Sequence, residues 1–287
     1  MSSGGLPAAT KSGAGRAAAM TGEVLLHVEG VSQKLGGAQI LDQVSFQVKD
    51  QIRPGVVTGQ VVSLLGPSGV GKTRLLRLIA GLDAVDQGRI LGPNARPIER
   101  GTVGVVFQNY PLLKHRTVLS NLETAAVANG IAGGAAKAQA LNLLGRFGLA
   151  HRADYYPAQL SGGQRQRVAI AQQMMRKTSL LLMDEPFSGL DPAALEDVMK
   201  LLVEVANMDE LNTVIVVTHD VRSAMIVSDT LLMLGRDRTP DGKLIPGARI
   251  QKTVDLVALG LAWREDVQHD PRFSPLEREL KAEFRRL

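Results

Sequence analysis

The sequence predicts an α/β fold in which a largely parallel sheet presents the ends of its strands to a ligand. Three short apolar runs support this, at Gln60–Leu65, Ser179–Met183 and Thr213–Val217, and each leads into polar residues. Apolar runs of this length are typical of buried strands, and a helical pattern over Arg74–Ala80 follows the first of them. Ligands of open parallel sheets bind beyond the carboxyl ends of the strands, so we expect the functional residues there.

A glycine-rich turn joins the first of these strands to its helix. It consists of Gly66, Pro67, Ser68, Gly69, Val70, Gly71, Lys72 and Thr73. Backbone N–H groups of such a turn converge on an anion, and the positive end of the helix dipole points to the same place. We expect Lys72 to reach the β- and γ-phosphates of a nucleoside triphosphate and Thr73 to hold Mg²⁺. The strand before, the helix after and the full Gly-x4-Gly-Lys-Thr spacing favour this interpretation over a chance match in an ordinary loop.

The N-terminal part of the chain combines a small-residue tail with strands. Residues 1–22 are rich in Ala, Gly and Ser and contain no apolar core of a signal peptide, so we expect a disordered tail. Leu25–Val28 and the alternating segment Val44–Val48 predict strands. The segment Asp50–Gly59, with Pro54, predicts a loop before the phosphate-binding strand.

The middle and C-terminal segments alternate strand and helix patterns. Val103–Phe107 predicts a strand that ends at Gln108. The region from Pro111 to about Gln159 is mostly helical in pattern, over Val118–Ala128 and Ala135–Phe147. From Val254 onward the chain is polar and helical in places. We therefore expect an inserted helical region and a C-terminal helical extension.

Composition restricts the possible functions. The chain has 287 residues, 45% hydrophobic and 21% charged, which is typical of a globular protein. It has no cysteine, which excludes disulfides and thiolate sites and suits a reducing cytoplasm. No apolar run is long enough for a membrane span. The net charge of +5 is scattered, without a basic stripe interleaved with aromatics, so we expect no nucleic-acid partner.

Two adjacent acids follow the second strand. Hydrolysis of a triphosphate needs one carboxylate to hold Mg²⁺, which we assign to Asp184. It needs another to orient or deprotonate the attacking water, which we assign to Glu185. The alternative is a solvated acidic turn, and the phosphate loop elsewhere in the chain favours the catalytic interpretation.

A second glycine-containing stretch leads into another predicted helix, Val168–Met175. It consists of Ser161, Gly162, Gly163 and Gln164. Its amides at a helix N-terminus favour an anion, and Ser161 with Gln164 also fits a plain capping box. Both can hold at once. One nucleotide cannot occupy two separate helix ends, so we expect this stretch to serve the nucleotide of a neighbouring subunit.

Together these motifs resemble the ATP-binding subunit of an ABC transporter, and they follow the order of that family between about Val24 and Arg236. The resemblance implies a Walker A loop at Gly66–Thr73, a signature motif from Leu160 to Gln164 and a Walker B strand ending at Glu185. It also implies that Gln108 contacts Mg²⁺ and the attacking water. Asp191 would lie in the nucleotide-binding D-loop, and His219 would be the switch histidine.

The resemblance also implies an architecture. It is a P-loop NTPase of ABC type with a RecA-like core, an N-terminal antiparallel β-subdomain and an inserted α-helical subdomain. We expect this ATP-binding domain over residues 23–253, with the helical subdomain at about 111–160 and a C-terminal extension over residues 254–287. The expected ligands are ATP and Mg²⁺.

The implied function is ATP hydrolysis that powers transport of a small anionic or polar solute, and the expected system is a bacterial importer. Expected partners are integral membrane permease subunits, contacted through Tyr110–Val118, and a second copy of the chain or a paralogous ATPase in a head-to-tail dimer. A substrate-binding protein is a further possible partner. The location implied is the cytoplasmic face of the cell membrane, held through the permease.

Some features depart from the family or leave the function open. Leu35 stands where an aromatic ring usually stacks on adenine. Without that ring, the expected selectivity for ATP over GTP is weaker. Phe107-Gln108 and Gly260–Trp263 are similar to importers of the nitrate, sulfonate and taurine type. The alternatives are the energiser of a lipid or other small-molecule system, an ATPase acting on ribosomes or DNA, and a regulatory module with degenerate catalysis.

Overall fold

The computed structural model describes residues 20–52, 59–131, 133–176, 178–190, 192–206, 213–262, 264 and 266–287. The strands are β1 (Met20–Leu35), β2 (Ala38–Ile52), β3 (Gln60–Leu65), β4 (Gln87–Leu91), β5 (Gly104–Val106), β6 (Leu180–Asp184), β7 (Thr213–Thr218), β8 (Thr230–Arg238) and β9 (Leu244–Asp255). The helices are α1 (Lys72–Ile79), α2 (Val118–Ala128), α3 (Gly133–Arg146), α4 (Gly162–Met174), α5 (Pro192–Ala206), α6 (Val221–Val227) and α7 (Phe273–Phe284). Short 3₁₀ turns lie at Pro93–Ala95, Ala150–Arg152, Pro157–Gln159 and Val267–His269.

In the described part of the chain the strands form one sheet, in the order β4-β1-β2-β9-β8-β3-β7-β6-β5. The pairs β8-β3, β3-β7, β7-β6 and β6-β5 are parallel, whereas β1 pairs antiparallel with β2 and β4, and β8 with β9. The three predicted apolar strands are therefore neighbours, and their carboxyl ends share one edge. The predicted α/β fold with an antiparallel N-terminal part is confirmed, although both parts belong to one mixed sheet.

The three apolar runs of the sequence form strands that are buried on both faces of the sheet. Every residue of β3, β6 and β7 is buried, because helices cover both faces of the parallel centre. Buried residues of α2, α3 and α4 form a continuous cluster that includes Leu122, Leu144 and Ile170. The predicted helix over residues 118–128 coincides with α2, and the predicted helix over residues 135–147 with most of α3.

The ends of several predicted segments need correction. Residues 20–22, assigned to the tail, are the first residues of β1, and residues 50–52, assigned to a loop, are the last of β2. Pairing between β1 and β2 extends to Met20 and Ile52, which explains both shifts. Residues 1–19 and 53–58 lie outside the described residues.

The C-terminal extension packs against β3, β8 and α6 in a hydrophobic cluster of its own. β9 runs to Asp255, so it crosses the expected boundary after residue 253. Phe273 and Leu280 of α7 are fully buried in a cluster with Leu65 of β3 and Val221 of α6. The extension therefore supports the strand and the helix that flank the candidate site. Among the described helices, none has the length and apolar character needed to cross a membrane.

Candidate functional site

The loop between β3 and α1 encloses its own lysine. Lys72 is buried, and its Nζ donates hydrogen bonds to the carbonyl oxygens of Gly66 at 2.7 Å and Pro67 at 3.2 Å. A Cβ at Gly66 would lie 2.6 Å from the carbonyl oxygen of Leu234, so the close approach of β8 requires glycine. Arg236 of β8 donates to the Gly69 carbonyl at 3.3 Å. The loop is held from inside by Lys72 and from outside by β8.

The N-terminus of α1 has the features of an anion site. Gly71 occupies the N-cap position with φ 119°, a conformation that residues with a side chain rarely adopt, and no described side chain caps the helix there. The first amides of a helix have no partner within it. These amides and the helix dipole are thus available to a phosphate.

The end of β6 adds an oxygen site beside this loop. Thr73 Oγ1 donates to Asp184 Oδ2 at 2.9 Å, while Asp184 Oδ1 is buried and has no hydrogen-bond partner among the described residues. Burial raises the pKa of the Asp184 carboxyl, and the hydrogen bond from Thr73 opposes the shift. An uncompensated carboxylate oxygen next to a hydroxyl fits a hard divalent cation, and Mg²⁺ commonly takes one or two carboxylates plus phosphate oxygens. These residues therefore fit Mg²⁺.

Glu185 connects the phosphate loop to the end of β7. Its Oε1 lies 3.6 Å from Lys72 Nζ, and its Oε2 lies 2.9 Å from His219 Nδ1. Its N–H donates to the Val217 carbonyl at 2.8 Å, and its φ is 50°. Burial lowers the pKa of the Lys72 ammonium, and the charge of Glu185 opposes this shift. The structure thus brings Lys72, Thr73, Asp184, Glu185 and His219 together at one edge of the sheet.

Gln108 lies beyond β5 at the same sheet edge. Its Nε2 donates to Ser188 Oγ at 3.4 Å, so it contacts the loop that follows Glu185. No hydrogen bond among the described residues joins it to Asp184 or Thr73. Asp191 lies outside the described residues.

The second glycine stretch forms the N-terminus of α4. Ser161 Oγ accepts from the Gln164 N–H at 3.2 Å, and Gln164 Oε1 accepts from the Ser161 N–H at 3.0 Å, which is the predicted capping box. A Cβ on Gly163 would meet nothing within 4 Å, so the space beside it is open. Among the described residues no hydrogen bond or ion pair connects Ser161–Gln164 with the Lys72–Glu185 cluster. Within one chain, the two glycine stretches are separate features.

Comparisons with known proteins agree with this geometry. The family model for ABC transporter proteins matches residues 49–188, which include the phosphate loop, the α4 N-terminus and both acids. The chain is 40% identical over 222 residues to the sulfate/thiosulfate import ATP-binding protein CysA of Bordetella pertussis. The alignment covers 74% of the chain and 60% of that relative.

The chain contains an ABC transporter ATP-binding domain. A second CysA relative, from Gloeobacter violaceus, is 41% identical over 209 residues, with 69% of the chain and 60% of the relative covered. The chain thus spans about three fifths of the length of these curated relatives.

Solved structures share the fold of this ATP-binding domain. cbiO1 of Clostridium perfringens, part of the ABC transporter complex cbiONQ, has a TM-score of 0.69 and 25% identity, covering 90% of the chain and 99% of cbiO1. The ATP-binding cassette MJ0796, a dimer bound to ADP and Pi after hydrolysis, has a TM-score of 0.63 and 27% identity. That alignment covers 81% of the chain and 99% of the cassette.

Sequence reasoning missed two residues that contact this domain's site. Arg236 of β8 supports the phosphate loop, and Gln166 of α4 donates to the Pro186 carbonyl beside Glu185 at 3.0 Å. Gln166 is one of four glutamines in α4, so no local signal in the sequence distinguished it. Leu35, in the position expected for a base-stacking ring, is 49% exposed. Trp263, part of the importer-like tail pattern, lies outside the described residues.

Proposed function

We propose that the chain is the ATP-binding and ATP-hydrolysing subunit of an ABC importer for a small anionic or polar solute. The observation that carries the proposal is the contact cluster at the sheet edge, where Lys72 of the phosphate loop, Glu185 and His219 meet. The two CysA relatives, named for sulfate/thiosulfate import, favour an anionic solute.

Each residue of the cluster has a distinct role in hydrolysis. Lys72 exchanges its carbonyl partners for the β- and γ-phosphates, and the α1 amides add further donors. Glu185 accepts a proton from the attacking water, and His219, hydrogen-bonded to it, fixes its orientation near the γ-phosphate.

Asp184 and Thr73 would hold Mg²⁺, with Gln108 reaching it from the end of β5. When bound, the ion neutralises charge on the phosphate oxygens. The Oδ1 of Asp184 supports this assignment, because this buried carboxylate oxygen has no hydrogen-bond partner in the described part of the chain. Asp191 is proposed as a nucleotide contact from the sequence motif alone.

Two copies of the chain, or one copy and a paralogous ATPase, pair head to tail in this proposal. Each ATP lies between Gly66–Thr73 of one subunit and Ser161–Gln164 of the other. The α4 N-terminus supports this, since a Cβ added at Gly163 would meet nothing within 4 Å and the amides of a helix N-terminus attract an anion. The γ-phosphate completes both half-sites, so hydrolysis shifts the population towards an open dimer.

A cross-linking experiment tests the head-to-tail arrangement, and the absence of native cysteine makes the labelling specific. Ser68→Cys and Ser161→Cys are combined in a Glu185→Gln background and treated with a short thiol cross-linker. We expect covalent dimers with ATP and Mg²⁺ and few without nucleotide. The control pair, Ser68→Cys with Asp241→Cys, places the second thiol on the exposed β8–β9 connection. Equal cross-linking of the two pairs with ATP would overturn the arrangement.

The transport part of the proposal includes permease subunits, a possible substrate-binding protein and a location at the cytoplasmic face of the membrane. Co-purification of the chain with a polytopic membrane protein is expected. Recovery with ribosomes or DNA instead would favour the ATPase that acts on those partners.

A further inference from the structure

Gln166 is a polar side chain buried within the apolar packing of α4. It is 0% exposed, and it lies one turn of helix beyond the Ser161 cap. Its Nε2 donates to the Pro186 carbonyl at 3.0 Å, while its Oε1 is buried without a hydrogen-bond partner among the described residues. An apolar side chain of similar shape would avoid that uncompensated oxygen, so the glutamine calls for an explanation other than packing.

The contact reaches the residue directly after Glu185. Glu185 holds a positive φ, and its N–H is fixed by the Val217 carbonyl on one side. On the other side, the Glu185 carbonyl accepts from the Ser188 N–H at 3.2 Å, and Gln166 holds the following peptide unit, between Pro186 and Phe187, through the Pro186 carbonyl. Phe187 follows and is buried in the cluster formed by the helices, which limits the freedom of the same turn. The turn that carries Glu185 is therefore held by hydrogen bonds from the sheet, from within the turn itself and from α4.

We propose that Gln166 is a positioning residue that holds Glu185 in its reactive orientation and couples it to the N-terminus of α4. This rests on the proposed function, in which Ser161–Gln164 binds the γ-phosphate of the other subunit's ATP. Gln166 belongs to the same rigid helix as Ser161–Gln164. When the other subunit's ATP binds to the helix N-terminus, any shift of the helix is therefore transmitted through Gln166 to the Pro186 carbonyl and then to Glu185. Each subunit's base is thereby adjusted by the nucleotide of the opposite half-site.

Gln166→Met tests the role, because methionine nearly preserves the volume and removes both the donor and the unpartnered oxygen. We expect kcat for ATP hydrolysis to fall by about 10- to 100-fold, as for a misplaced catalytic group, with KM for ATP within about twofold of the parent. A purely structural role would lower the melting temperature without this separation of kcat from KM.

Gln172→Met is the matched control, since it makes the same substitution on the same helix. Gln172 donates to the Asn121 carbonyl at 3.4 Å, away from the loop of Glu185. Parent-like kcat is expected for this control. Parent-like kcat in Gln166→Met, or an equal loss in both variants, would overturn the proposal.

If Gln166→Met does not fold, Gln166→Leu lacks the same donor and takes its place with the same expectations. Failure of both to fold would also overturn the proposal, because Gln166 would then serve folding rather than turnover. A parent chain that hydrolyses no ATP would contradict the proposed function instead, so the two failures are distinguishable.

Discussion

Glu185→Gln is expected to lower kcat for ATP hydrolysis by about 10²- to 10⁴-fold, the usual contribution of a positioned general base. The amide keeps the size of the carboxylate but cannot accept a proton at the oxygens that now face Lys72 and His219. ATP affinity is expected to be retained or increased, because a negative charge next to the phosphates is lost. Steady-state phosphate release and equilibrium binding of a fluorescent ATP analogue measure the two effects.

The control for this variant is Glu196→Gln. Glu196 forms an exposed ion pair with Lys200 at 2.8 Å on α5, so the same change of charge there is expected to leave turnover unchanged. Hydrolysis at the parent rate by Glu185→Gln would show that another group accepts the proton.

Lys72→Met is expected to weaken ATP binding by roughly 30- to 5,000-fold, because losing one partner of a buried charge-assisted contact costs about 2–5 kcal/mol. The ammonium lies inside the phosphate loop, so no other described side chain replaces it there. Turnover at saturating ATP is also expected to fall, because the γ-phosphate loses a cation that stabilises its charge in the transition state.

Lys72 also holds the loop by hydrogen bonds to Gly66 and Pro67, so the variant needs a check of its fold. Circular dichroism and thermal melting serve this purpose, and Lys200→Met on the exposed face of α5 is the matched control. A folded Lys72→Met chain that binds ATP as tightly as Lys200→Met would contradict the role of the phosphate loop.

Local patterns were sufficient to predict the central part of the fold. β3, β6 and β7 are buried on both faces, so their sequences are continuous apolar runs, and polar residues mark where each strand ends. Because the carboxyl ends of parallel strands meet at one edge, the order of motifs along the chain was enough to group Lys72, Asp184 and Glu185. The capping box at Ser161 was visible for a similar reason, since its partners are three residues apart.

The remaining features depend on contacts between distant parts of the chain. β4 begins with three exposed residues, and in β9 the burial alternates from Ala248 to Asp255 but places Lys252 on the half-buried face, which obscures the apolar pattern in the sequence. The docking of α7 depends on Phe273 reaching the core beside Leu65, which no local signal predicts. Gln166 was missed because its partner, Pro186, lies 20 residues away.

The positive φ of Glu185 means that stability and catalysis favour different residues at position 185. A left-handed backbone disfavours a residue with a Cβ, and glycine would occupy the same turn without that penalty. Selection for thermal stability alone would therefore favour glycine at this position. Efforts to make this protein more robust by consensus or automated redesign should leave residue 185 fixed and seek their gains elsewhere.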